Sequence, residues 1–214
     1  MLLTEYQAQV RNLVNDAQKN YWTDAELTSY INQARRQTAL DTLCVRKFQP
    51  GTLKAGQEQY TYTDPGLALP QGNQVIDIVN ITVIWGQTRY QLGYMPFTML
   101  SAVFRAWVNY QRIPCAFSIY NANTFFIAYI PDIDYQAEFD TAILPLPLAN
   151  DNTVETIPTP YDEAVQFFAA SLARLKLQQY TEYQAYQKIY LEKTARLGAM
   201  PPRRIPYVFE NEVF

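Results

Sequence analysis

The sequence has no histidine in 214 residues. That removes the commonest general base, the commonest metal ligand and every Ser–His or Cys–His nucleophile pair. Glycine is scarce, at seven, and none stands in a G-x-G-x-x-G or G-x-x-x-x-G-K-[ST] arrangement, so no phosphate cradle is visible. The two cysteines, Cys44 and Cys115, are far apart and form no C-x-x-C pair. Without a histidine beside them they make a poor zinc set. They are expected to be buried, reduced thiols rather than a disulfide. Neither metal nor cofactor is expected, and no reaction emerges.

A basic excess is missing too. Lys and Arg number 17 against 20 Asp and Glu, a net charge of −3, whereas a dedicated nucleic-acid binder carries a basic field. Mild acidity suits a channel that DNA crosses without adhering, but many proteins share it. No stretch approaches the roughly 20 apolar residues of a membrane span. The opening Met1-Leu2-Leu3-Thr4-Glu5 turns polar too soon for a secretory leader. The expectation is a soluble, non-exported protein that is not an enzyme.

Aromatic residues, by contrast, are plentiful: 17 Tyr, 11 Phe and 3 Trp. Tyrosine joins a large apolar ring to a hydroxyl and is favoured at protein–protein contacts, although β-rich surfaces carry it as well. The length predicts one domain with a core that needs no disulfide or metal.

Residues 1–44 read as two amphipathic helices. Leu3, Tyr6, Val10, Leu13, Val14 and Ala17 form one apolar stripe, and Thr4 with Gln7 has capping-box spacing. After a break at Asn20-Tyr21-Trp22, Thr23 and Glu26 form a second box. Leu27, Tyr30, Ile31, Ala34 and Leu43 then extend a second stripe to about Cys44. So short a link predicts a helical hairpin.

The period changes after Val45. Residues 59–63 alternate between turns, residues 75–85 alternate as a strand, and Gly86-Gln87 offers a tight turn into 88–92. Pro96 is placed to open a short helix near 96–108 on Phe97, Leu100, Phe104 and Trp107. Residues 117–120, 124–130 and 135–144 read as further strands. Thr159 then caps a helix with Pro160 at its first position, followed by Asp162 and Glu163. Ala164, Val165, Phe168, Leu172 and Leu175 line its face. The segment 182–197 either continues that helix or folds back after Gln179, and Gly198 ends it. Residues 199–214 read as an extended tail.

The fold class expected is α+β. A helical lobe (1–44 and 158–198) is built from the N-terminal hairpin and long C-terminal helices. An antiparallel β lobe (45–157) is inserted in it, and both belong to one domain, 1–198, ahead of the tail.

Two charged groups invite chemistry. Asp132, Asp134, Glu138 and Asp140 have the residue types of a glycosidase pair or a hard-cation site. Such pairs usually come from different elements, and solvated acids on a loop and strand are the favoured reading. A carbohydrate-binding or glycan-cleaving module is the rival they support. The basic pairs are Arg35-Arg36, on a helix face, and Arg203-Arg204, in the apolar tail. Phosphate binding needs several such groups converging on one surface. Tail peptides of this composition order on a partner, at a sheet edge, or fold back on their own domain.

The order of several motifs resembles the head–tail adaptor, or connector, family of tailed double-stranded DNA bacteriophages, especially short-tailed ones. The motifs are Trp22-Thr23-Asp24-Ala25-Glu26-Leu27 leading to Tyr30-Ile31-Asn32-Gln33-Ala34, then Gln59-Tyr60-Thr61-Tyr62. Ile113-Pro114, Tyr129-Ile130-Pro131 and Thr156-Ile157-Pro158-Thr159-Pro160-Tyr161 follow. Together they span about residues 4–197. Ile113-Pro114 stands where Gly-Pro is more usual, Ile130-Pro131-Asp132 replaces Pro-x-Pro, and the tail beyond Gly198 lies outside the resemblance.

The resemblance implies a virion protein of the portal vertex, made in the host cytoplasm. It implies a dodecameric ring beneath the portal that extends the DNA channel and offers a platform for tail nozzle or tail fibre proteins. DNA would cross the lumen during ejection without sequence-specific binding, and no membrane would be involved. A tail-completion or nozzle protein is the nearest alternative. In that setting Tyr183, Tyr186, Ile189 and Tyr190 are candidates for subunit packing. Arg203 and Arg204 are candidates for pairing with portal carboxylates, with Ile205, Tyr207, Phe209 and Phe214 as apolar anchors. The free protein is expected to be a monomer.

Overall fold

The computed structural model describes residues 1–67, 69, 75–104, 107–198 and 206. The chain is α+β and divides into two compact units. One is Met1–Val45 with Leu144–Pro201, the other Arg46–Ile143 with Pro202–Phe214.

The first unit is helical: α1 (Leu3–Leu13), α2 (Asp24–Thr42), α4 (Asp162–Lys176) and α5 (Tyr180–Gly198). Helix α1 starts without the expected Thr4–Gln7 box. The Leu2 N–H donates to Glu5 Oε2 at 2.7 Å, while Thr4 uses both its N–H and its hydroxyl on Asp151, at 2.9 and 3.0 Å. The helix also stops earlier than its apolar stripe suggests, leaving Ala17 exposed outside it. Asp16 is the reason: its buried carboxylate accepts the backbone N–H groups of Asn20, Tyr21 and Trp22 at 2.7, 3.2 and 3.3 Å. A side chain that satisfies three loop amides stabilises a loop in place of further helical turns.

Helix α2 begins at the predicted box, with the Glu26 N–H on Thr23 Oγ1 at 3.2 Å and the Thr23 N–H on Glu26 Oε2 at 3.1 Å. It ends at Thr42 rather than Cys44, because Leu43 turns left-handed at φ 50°. Helix α4 begins two residues later than expected. A turn from the Tyr161 N–H to the Pro158 carbonyl, 2.9 Å, precedes it, and Tyr161 takes the capping position. Its buried face is mostly small: Ala164, Ala169, Ala170, Ser171 and Ala173 beside Val165, with Leu175 exposed. Small residues let neighbouring backbones approach closely, and α4 packs on α1, α2 and α5. The open question of continuation or folding back resolves as folding back. Gln178 adopts φ 58°, and Arg174 ties the turn through Gln179 Oε1 at 2.7 Å and Glu182 Oε2 at 2.8 Å.

An irregular arm, residues 144–157, lies against α2. Arg35, 1% exposed, donates to both Glu155 oxygens, to the Leu146 carbonyl at 2.7 Å and to Asn32 Oδ1. Asn32 in turn receives the Leu148 N–H at 2.8 Å and donates to the Leu148 carbonyl at 3.0 Å.

The second unit is a two-sheet sandwich. Its strands are β1 (Arg46–Leu53), β2 (Gln59–Thr61), β3 (Val75–Trp85), β4 (Thr88–Gln91), β5 (Gly93–Tyr94), β6 (Ala116–Asn121), β7 (Thr124–Ala128) and β8 (Tyr135–Ile143). One sheet has the order β1-β8-β3-β4, the other β2-β7-β6-β5. All pairs are antiparallel except β5 with β6. The core between them gathers Leu53, Ile81, Val83 and Phe139 from one sheet and Tyr60, Phe117, Phe125 and Ile127 from the other. Gly86 takes φ 60° at the β3–β4 turn, as a two-residue hairpin loop requires.

Strand β1 escapes the sequence reading because Pro50 and Gly51 interrupt it, and both are tolerable at a sheet edge. Gly51 is needed there, since a Cβ would stand 2.7 Å from the Leu67 carbonyl oxygen and 2.8 Å from the Phe139 ring. The expected helix near 96–108 is α3 (Phe97–Val103), with Pro96 capping it instead of occupying its first turn, followed by a 3-10 turn at Trp107–Asn109. It packs Leu100 over the second face of the β2-β7-β6-β5 sheet, on Ala116 and Ala128.

Two substitutions test these points by urea denaturation. Glu155→Ala leaves a buried guanidinium without its counter-charge and should cost about 3–5 kcal/mol. Gly51→Ala forces backbone or Phe139 to move and should cost about 1–3 kcal/mol.

Candidate assembly surfaces

The acidic cluster dissolves into local roles. Asp132 accepts the Tyr135 hydroxyl at 2.7 Å, and that bond together with burial pushes the phenol up to about 12. Asp134 accepts the Ala55 N–H at 2.8 Å. Glu138 and Asp140 share the outer face of β8, where Arg89 reaches Glu138 at 2.9 Å and Arg46 reaches Asp140 through Nε at 3.0 Å and also through Nη2. Among the described residues no group of three or more acidic or thiol side chains is placed to hold a metal ion. A small open depression is lined by Thr52, Lys54, Gln57, Tyr60, Asp64, Pro65, Gly66 and Leu67. Its polar groups are turned on one another: Asp64 takes the Thr61 N–H at 2.8 Å, and the Tyr60 hydroxyl donates to the Lys54 carbonyl at 3.1 Å. No general acid and base face a common space here.

The Arg35-Arg36 pair is not a basic face. Arg36 is exposed and Arg35 is buried against Glu155. Both cysteines are half-buried, where burial was expected. Burial pushes the Cys44 thiol up, away from the reactive thiolate.

The α5 residues singled out for packing fall on two levels. Tyr190 lies inside the helical unit, its ring 4.9 Å from Phe168 and its hydroxyl 2.5 Å from Asp41. Tyr186 is half-buried and donates to the Leu13 carbonyl at 2.6 Å, while Tyr183 and Ile189 are half-exposed. Arg203, Arg204, Ile205, Tyr207, Phe209 and Phe214 lie outside the described residues.

Sequence periodicity missed three groups of exposed apolar side chains. In the helical unit, Lys176 at the end of α4 binds Glu26 at the start of α2. This puts the α1–α2 and α4–α5 turns at one end, where Tyr21 is 69% and Tyr180 61% exposed beside Leu177. On the sandwich, the β3–β4 hairpin tip shows Trp85, 54% exposed, against Tyr90 at 6.0 Å, with Arg89 between them in sequence. On α3 and the segment after it, Met99, Val103, Val108 and Tyr110 are exposed, as is Tyr120 on β6, whose ring meets Phe97 at 4.9 Å. Exposed Trp, Tyr and Arg are the residue types that dominate binding hot spots. The signal for them was the aromatic excess, which says nothing of position.

Exposed aromatics at turns and tips suit contact with other proteins. The chain belongs to the SU10 adaptor protein family, which matches it over residues 1–206. It is a bacteriophage adaptor protein, a structural protein of the virion. The match continues past Gly198, where the motif resemblance stops, and takes in Pro206. No curated protein matches the chain. Among the described residues no helix is long and apolar enough to cross a membrane.

The Lys176–Glu26 contact gives a pH test. The hydrogen bond from Lys176, then those from the Thr23 backbone and hydroxyl, pull Glu26 from 4.5 to about 2. A carboxyl depressed on folding contributes stability that is present above its unfolded value and lost as pH falls through the folded one. Wild type should therefore exceed Glu26→Gln in urea midpoint at pH 6, and the gap should close between about pH 4.5 and pH 2.

Proposed function

We propose that the protein is the head–tail adaptor of its phage. In this reading copies form a ring, dodecameric by the family resemblance, beneath the portal, extending the DNA channel and offering a platform to tail nozzle or fibre proteins. One observation carries it: the adaptor family matches the chain over residues 1–206, and large apolar side chains such as Trp85, Tyr21 and Tyr180 stand exposed at its tips and turns. Its net charge of −3 suits a lumen that DNA crosses without adhering.

Subunit packing falls to α5 in this proposal. Tyr183, Tyr186 and Ile189 face the neighbour, and Tyr190 supports them from within. The tail supplies the latch: Arg203 and Arg204 pair with portal carboxylates, and Ile205, Tyr207, Phe209 and Phe214 fill pockets, a mode in which an extended peptide gains affinity from backbone pairing and alternate side chains. The free protein is a monomer and closes into a ring only on the portal.

Light scattering tests this directly. The purified chain should run at its monomer mass of 24.8 kDa and join portal rings as a closed ring. A chain that ignores the portal is a more distal tail-completion or nozzle protein. Deleting residues 199–214 should abolish docking and leave thermal unfolding within a few degrees of wild type. Normal docking of the truncated chain removes the latch from the mechanism.

A further inference from the structure

The β2-β7-β6-β5 sheet ends on one side at β5. Gly93 and Met95 both point their N–H groups at β6, to the carbonyls of Cys115 and Phe117 at 3.0 Å each. Backbone groups alternate along a strand, so the N–H and C=O of Tyr94 are directed the other way, to the outer edge. That edge is where Pro206 sits, in a parallel bridge with Tyr94. The Tyr94 ring holds the strand in place from within, edge-on to Phe117 at 5.5 Å.

We infer that the outer edge of β5 is a peptide-binding edge whose occupant in the free chain is the chain's own C-terminal peptide, and that this peptide must leave the edge for the adaptor to dock. The inference rests on the latch reading above and adds to it what occupies the latch beforehand. Two features argue for a releasable seat. Among the described residues the bridge is a single pair. The acceptor strand is itself only two residues long, in the parallel geometry that is the less stable kind. An edge covered in this way is also shielded from pairing with other chains until the peptide departs.

A disulfide lock tests it. In a Cys44→Ser, Cys115→Ser background, Tyr94→Cys with Pro206→Cys places two thiols across the bridge. Mild oxidation of the free protein should give an intramolecular disulfide, read as a faster band on non-reducing gels and the loss of two hydrogens by mass. The oxidised form should bind portal rings at least tenfold more weakly than the reduced form. Failure to form the intramolecular link overturns the seat, and oxidised protein that docks as well as reduced overturns the release step. Wild-type exchange guards against damage from the substitutions: deleting residues 199–214 should speed amide exchange at Tyr94 at least tenfold, and an unchanged rate also overturns the seat. If wild type itself ignores the portal, the adaptor reading fails, while the crosslink and the exchange rate still report on the seat.

Discussion

Arg35 holds the helical unit to a single path of the chain. Its guanidinium is buried, yet each of its nitrogens has an acceptor within 3.3 Å, shared among Glu155, Leu146 and Asn32. Glu155 is saturated in turn, since Oε1 also takes the N–H groups of Thr156 and Ile157 at 2.8 and 2.9 Å. Burial pushes the neighbouring Tyr6 phenol up, and the charges of Glu155 and Asp162 add to this. One node therefore joins α1, α2, the irregular arm and the start of α4. A buried ion pair of this kind adds little net stability over well-packed apolar residues, because both charges leave water. What it supplies is position. The arm has no ladder of its own to fix its register, and the fork of Arg35 fits one placement of Glu155 and the Leu146 carbonyl.

The sandwich solves the same problem with shape. Its core is a stack of rings, Tyr60 on Phe125 at 5.3 Å and Phe125 against Phe139 at 6.1 Å. Those rings set how near the chain after β2 passes to β1. Gly51 is the point of closest approach, and the absence of a Cβ there admits the Leu67 carbonyl. Acids that look like a catalytic group in sequence are the polar seams of this unit: two of them cross-link β8 to its neighbours on the solvent face, and two close the loop before it.

Strong periodicity made much of this legible in advance. The Thr23–Glu26 box, the strand at Val75–Trp85 and the Gly86 turn are local features, dictated by residues within a few positions of one another. The misreadings are places where a side chain's partner or a local turn decided, and the largest of them involve a distant residue. Thr4 looks like a cap until Asp151 takes its hydroxyl. Ala17 fits a helical stripe until Asp16 gathers the loop amides. Arg35 looks like a solvated charge until Glu155, far along the chain, buries it. Strand β1 carries Pro50-Gly51, a breaker by composition, and is admitted only because it sits at an edge with Leu67 beside it. The assembly surfaces were less legible than the fold, since no rule of spacing separates an exposed tyrosine from a core one: Tyr190 and Tyr180 lie on the same helix, one buried and the other open.

Within each unit the exposed apolar side chains fall into small groups, and this bears on the proposed monomeric state of the free chain. A large continuous patch drives association whenever chains meet. Small ones bind weakly alone, and where an ion pair stands at the rim, as Lys176–Glu26 and Arg89–Glu138 do for two of them, its charges govern which partner fits more than how tightly it is held. A ring changes the arithmetic. Once a template holds neighbouring copies in place, every further contact becomes intramolecular and is strengthened by effective concentration without any new chemistry. In the proposed assembly, small contacts of this kind need a template, and a β5 edge occupied by the chain's own peptide would withhold one more contact until that template is present.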